Sequence, residues 1–173
     1  MTASGIRLET ERLIIEPYDH VYLSDYFQEF TDEITKYQYP DTFADIESAS
    51  KLVSSFVELM EVGKMLELVI LSKSGEFFGC IEAIGLDEEN PELGLWLKTA
   101  AQGKGYGFEA LKCIIDYLNL TERYDAYVYE ADERNLASLN LAKKFKCKKE
   151  SYNAVITDSG KELFLRCFII NNF

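Results

Sequence analysis

The sequence predicts an α/β fold on one mixed, mostly antiparallel sheet, with about seven strands and four helices in the order β-α-α-β-β-β-α-β-α-β-β. Three observations carry this. Four segments repeat apolar residues at helical spacing, shorter β-branched and aromatic runs lie between them, and Gly, Pro, Asn and Asp clusters punctuate the joins. No linker or repeat interrupts the order, and 173 residues fit one domain spanning residues 1–173.

Arg12 to Glu16 is a β-branched run ended by Pro17, and Tyr22, Leu23, Tyr26, Phe27 and Phe30 follow at helical spacing behind Asp19, an N-cap residue type. Ile46, Ala49, Leu52, Val53, Phe56, Val57 and Met60 form a second helix closed at Gly63. Met65–Leu71 and Phe77–Leu86 read as strands joined by the hairpin-type connection Lys73-Ser74-Gly75-Glu76, and Glu92–Lys98 continues the meander. Phe108, Leu111, Ile114, Ile115 and Leu118 mark the third helix, and Tyr124–Glu130 is a strand predicted to lie parallel to Glu92–Lys98, because strand–helix–strand crossovers are usually parallel. Asn135–Phe145 is the last helix, and strands around Tyr152–Ile156 and Leu163–Ile170 close the chain.

A formal charge of −12 argues against nonspecific binding to nucleic acid or an anionic membrane, which need a basic footprint. It suits a cationic substrate weakly, and solubility alone is the commoner reason for such acidity. The start lacks a signal-peptide layout and no run approaches the ~18 apolar residues of a membrane span, so the expected location is the cytoplasm. Cys80, Cys113, Cys147 and Cys167 are scattered and His20 is the only histidine, so reduced thiols and no metal site are expected.

Gln102-Gly103-Lys104-Gly105-Tyr106-Gly107 places three glycines at alternate positions between a strand and a helix. Glycine permits positive φ and close backbone approach, and the first turn of a helix presents unpaired N–H groups, which together bind anions. The alternative is a plain connection. A P-loop is excluded because Gly105 follows Lys104 where Ser or Thr must stand, and a dinucleotide fingerprint is broken by Phe108.

With this order and QGKGYG opening the third helix, the chain resembles the GNAT superfamily of acyl-CoA-dependent N-acyltransferases over nearly its whole length. Gln102, Gly105 and Gly107 fill the three specified places of the family signature, and Asn135-Leu136-Ala137-Ser138 looks like its N-x-x-S element. Leu8 to Ile15 and Glu92 to Leu97 look most like the branch containing ribosomal-protein N-terminal acetyltransferases and several small-molecule amine acetyltransferases.

The resemblance implies that acetyl-CoA is the co-substrate, its pyrophosphate held by backbone N–H groups of Gly103, Lys104, Gly105, Tyr106 and Gly107. It further implies that the pantetheine arm pairs with Leu95, Trp96 and Leu97 where two parallel strands splay, that Asn135 bonds the arm, and that Ser138 sits near the sulfur. Asn135 and Ser138 read equally as a helix cap and an exposed polar residue. The implied chemistry is attack of a neutral amine on a thioester, which needs a proton acceptor, an oxyanion donor and help for the thiolate. Trp96 N–H is the expected oxyanion donor. Glu92 is the first expected base, Glu82 the second and Glu130 the third; each could instead be a solvated strand position.

The pattern departs from the family at Ala142, where many relatives carry a Tyr general acid, and at Lys146-Cys147, where Gly-Phe is usual. The run Lys143, Lys144, Lys146, Lys148, Lys149 could contact a CoA phosphate or face solvent. Tyr37, Tyr39 and Phe43 could line an aromatic acceptor wall, with Asp41 and Asp45 as partners for a cationic amine, or simply pack the core. The expected activity is acetyl transfer to a primary amine, a small molecule or a protein N-terminus, by a monomer or homodimer. The alternatives are an acyl-CoA-binding module without catalysis and a nucleotide-binding regulator.

Overall fold

The computed structural model describes residues 5–171, with the side chains of residues 148–150 outside that description. Eight strands form one sheet: β1 (Leu8–Glu9), β2 (Leu13–Pro17), β3 (Met65–Ser72), β4 (Phe77–Ile84), β5 (Glu92–Leu97), β6 (Ala126–Asp132), β7 (Cys147–Ile156) and β8 (Glu162–Asn171). Their spatial order is β1-β2-β3-β4-β5-β6-β8-β7, antiparallel throughout except for β5 and β6. The helices are α1 (Leu23–Glu29), α2 (Asp32–Thr35), α3 (Ile46–Glu61), α4 (Tyr106–Asn119) and α5 (Leu136–Ala142).

Each strand or helix the sequence predicts is present, with small shifts at most ends; β7 begins at Cys147, well before the predicted start around Tyr152. The additions are short. The two-residue β1 pairs Leu8 with Ile15 at the sheet edge, and the aromatic run after Asp19 breaks into a 3-10 turn, α1 and α2. Asp19 caps the 3-10 turn by accepting from Val21 N–H, and Asp45 caps α3 by accepting from Ser48 N–H at 2.8 Å. The last helix ends at Ala142, and Phe145 is buried in the turn beyond it.

Side chains alternate across the sheet, so each face has its own core. Leu66, Leu68, Ile81 and Leu93 pack against Leu111, Ile114 and Leu118 of α4. On the other face Val69, Cys80 and Trp96 pack against Tyr26 of α1, Phe30 at its C-cap and Val53 of α3. Met65 to Leu71 of β3 are all buried, which is why that strand reads as an unbroken apolar run around Glu67. Among the described residues no helix is long and apolar enough to cross a membrane.

The feature that positions the site is the junction of β5 and β6. They pair only at their beginnings, where Glu92 faces Val128 and Val128 N–H donates to Pro91 O at 2.9 Å. Beyond that pair no further register exists between them, and the remainder of the two strands bounds a cleft.

Candidate active site

The cleft holds two cavities that meet at a neck. The larger, about 510 Å³, runs between Leu95–Leu97, the glycine loop and α5. The smaller, about 260 Å³, lies over the opposite face of the sheet, under Tyr26, Phe30 and Tyr37. Leu95, Trp96, Tyr129, Asn135 and Ser138 line both, so the parted strands connect the two spaces.

At the outer end of the larger cavity, Gly103 and Gly105 take left-handed backbone conformations with φ of +73° and +85°. Gly105 is the residue from which α4 starts, so the loop and the first turn of a 14-residue helix present their N–H groups together. A Cβ at Gly103 would meet nothing within 4 Å, whereas one at Gly107 would lie 3.3 Å from Leu95 Cδ1; the first leaves room for a ligand and the second lets the helix sit against β5. Gln102 Nε2 donates to Leu97 O at 2.9 Å and ties the loop to the strand.

Arg12, in the opening segment, fixes the loop from the other side. Its Nε donates to Glu109 Oε2 at 2.7 Å, its Nη1 to Lys104 O at 2.9 Å, and its guanidinium lies 4.6 Å from the Tyr106 ring centroid. Thr10 Oγ1 and Arg12 N–H also donate to Glu109 Oε1. This positioning role is not visible in the sequence, because Arg12 and Glu109 are 97 residues apart.

The register of β4 and β5 corrects the oxyanion assignment. Lys98 N–H donates to Phe78 O and Pro91 O accepts from β6, so peptide groups of even-numbered residues in β5 point to β4 and those of odd-numbered residues point to the cleft. Trp96 N–H therefore belongs to the β4 ladder, and Leu95 and Leu97 supply the cleft-facing backbone. Trp96 does line both cavities, and its ring is held edge-on by Tyr26 and Phe30 at ring distances of 5.1 and 5.0 Å.

The smaller cavity is lined by carboxylates. Glu67, Glu82 and Gly94 stand in one row across β3, β4 and β5. Burial and the Glu92 charge push the Glu82 carboxyl up to about 7. Glu67, 2% exposed, is held well above the usual carboxylate range by burial and by Glu82. Glu92 is exposed at the mouth and is raised by partial burial, Glu130 and Glu88. Glu82 thus lies deeper in the cavity than Glu92.

Asn135 and Ser138 reach the neck, and Asn135 is also a cap: its Oδ1 accepts from Ser138 N–H at 3.2 Å. The sequence reading missed Tyr129, 3% exposed, whose phenol interacts with the Ser138 side chain and is raised by burial. It was hidden in the run YDAYVYE, which reads as plain alternation. Ala142 is fully buried and lines neither cavity.

Tyr37 and Tyr39 line the smaller cavity, but Phe43 stacks on Phe30 at 5.6 Å. Asp41 pairs with Lys161 and Asp45 caps α3, and neither lines the smaller cavity. Of the lysine run, Lys144 lines the larger cavity while Lys143 and Lys146 are exposed; the side chains of Lys148 and Lys149 lie outside the described residues.

Comparison with known proteins gives a consistent family. The profile of the acetyltransferase (GNAT) domain matches residues 12–148. Among curated proteins no sequence matches the chain. Similar solved structures include a RimL ribosomal L7/L12 α-N-protein acetyltransferase in complex with coenzyme A, at 15% identity and TM-score 0.79, covering 96% of this chain and 98% of that one. They also include a GNAT-family acetyltransferase from Bacillus anthracis, at 16% identity and TM-score 0.80 over 96% and 98% of the two chains. A ribosomal-protein-S5-alanine acetyltransferase from Vibrio fischeri matches at 16% identity and TM-score 0.80, covering 97% and 98%. At such identities the structures establish a shared fold, and the profile establishes the family. The strand order, the parted β5 and β6, the glycine turn opening α4 and the profile match agree: the chain belongs to the GNAT acetyltransferase family.

Proposed function

We propose that residues 1–173 form one N-acetyltransferase domain that moves an acetyl group from acetyl-CoA to a primary amine by direct attack in a ternary complex. The observation that carries this reading is the neck between β5 and β6, which joins an anion-binding helix N-terminus to a carboxyl group poised near neutrality. The residues fit the co-substrate. The glycine loop has an open left-handed cradle for a pyrophosphate, and odd-numbered residues of β5 present cleft-facing peptide groups for an amide-bearing arm.

Acetyl-CoA supplies an activated acyl group as a thioester. Gly103 to Gly107 hold its phosphates through backbone N–H groups, and Asn135 and the backbone of Leu95 and Leu97 orient the arm. Glu82 takes the proton that an ammonium must lose before its nitrogen can attack, because a base with a pKa near 7 accepts that proton without being protonated beforehand. Glu92, at the mouth, relays the proton to water. The Tyr129 phenol, backed by Ser138, holds a proton at the neck and fills the role that Ala142 leaves open.

The acceptor is a small-molecule amine or a protein N-terminus; ribosomal-protein acetyltransferases of the same fold support the second class. Titration with acetyl-CoA followed by thiol release over an amine and peptide panel tests the proposal. Amine-dependent release is expected, and binding without release would leave a non-catalytic acyl-CoA module instead.

A further inference from the structure

The smaller cavity carries more carboxyl groups than one reacting amine can use. Glu67, Glu82, Glu92, Glu130 and Asp132 all line it, and among its described lining residues there is no Lys or Arg. Asp132 is accounted for: Arg134 holds it through contacts of 2.7 and 2.8 Å, and Phe164 N–H donates to it at 2.9 Å. The nearby lysines are also engaged, Lys98 with Glu76 and Lys161 with Asp41.

Glu67 adds a second, independent observation. It is 2% exposed and faces the cavity; its carboxyl interacts with the Cys80 thiol, and among the described residues its Oε2 has no hydrogen-bond partner. A buried carboxyl oxygen left unpaired is costly, so such an atom in a cavity wall marks a place where a donor binds. Three mutually contacting rings line the same space: Tyr26–Phe30 at 5.3 Å, Phe30–Trp96 at 5.0 Å and Tyr26–Trp96 at 5.1 Å. Aromatic faces beside a carboxylate suit an alkylammonium ion.

We propose that the acceptor is a diamine or polyamine, whose reacting nitrogen is deprotonated at Glu82 while a second ammonium is held against Glu67 beside Tyr26, Phe30 and Trp96. Glu67 and Glu82 stand on neighbouring strands, and a strand spacing of about 5 Å is the scale of a short diaminoalkane. One nitrogen loses a first proton to Glu82 and attacks the acetyl carbon as the carbon–sulfur bond breaks; the thiolate takes its proton from the Tyr129 phenol, and the second proton that the nitrogen sheds on becoming an amide returns to the Tyr129 phenolate, so that Glu82 alone ends protonated. The other nitrogen stays charged. This inference rests on the acetyltransferase reading and narrows its acceptor.

The test measures kcat/KM by thiol release for 1,4-diaminobutane, n-butylamine and a short peptide with a free N-terminus, in the wild type and Glu67→Gln. The diamine is expected to exceed the monoamine by roughly tenfold or more in the wild type, and the ratio to fall toward one in Glu67→Gln, mainly through the diamine KM. Calorimetric binding of 1,4-diaminobutane without acetyl-CoA provides a readout independent of turnover, and it is expected to weaken in the same variant. Equal use of monoamine and diamine, or use of the peptide alone, would overturn the diamine assignment and leave N-acetyl transfer standing. No release with any acceptor would overturn both.

Discussion

Glu82 reaches the cavity because Gly94, its partner across β4 and β5, has no side chain: a Cβ at position 94 would collide with the Glu82 carboxylate and come within 3.0 Å of its Cγ. Gly94→Ala should therefore displace a flexible side chain and leave the strand in place. We expect kcat to fall by about tenfold or more, within the range that a positioned base contributes, with little change in Tm. Steady-state kinetics beside a thermal melt checks this.

The raised Glu82 carboxyl also ties stability to pH. Below about 4.5 the folded and unfolded chains both hold the proton. Between there and about 7 the unfolded chain releases it while the folded chain keeps it, so folding becomes less favourable as pH rises, and above 7 the loss is complete. Glu67, raised for the same reason, acts in the same direction. Glu82→Gln should raise Tm relative to the wild type at pH 8 and change it little at pH 4, as melts at the two pH values will show.

Much of this was legible in the sequence, and the exceptions have two physical causes. Hydrophobic periodicity gave every long strand and helix, since local spacing records which face is buried. The two-residue β1 escaped because Leu8 and Glu9 offer no alternation to read. Glu67 and the direction of the Trp96 N–H escaped because both depend on pairing between strands. Register sets Glu67 opposite Glu82 and turns the Trp96 N–H toward β4, and neither relation leaves a local trace. Glu67 did carry one signal, a carboxylate inside the apolar run MLELVIL, as Glu82 did in FFGCIEAIGL.

Arg12 offers a test of the loop that leaves the chemistry alone. Its guanidinium bonds Glu109 and the Lys104 carbonyl at once, a forked geometry that an ammonium lacks. Arg12→Lys should raise the KM for acetyl-CoA roughly tenfold with a smaller change in kcat. Equal losses in both parameters would place Arg12 in the reaction itself.

Gly105→Val probes the cradle directly. A left-handed φ of +85° costs a β-branched residue about 1–2 kcal/mol or more. Acetyl-CoA affinity should weaken by at least about tenfold, read by calorimetry, and a variant that is less stable yet binds normally would remove the loop from the binding site.

The central claim is that Glu82 is the base that readies the amine. The pH dependence of kcat/KM for thiol release, in the wild type and Glu82→Gln, tests it most directly. The wild type should show activity rising through an ionisation near 7, Glu92→Gln should move that ionisation to lower pH by removing a neighbouring charge, and Glu82→Gln should abolish it. The same rising limb in Glu82→Gln would contradict the assignment.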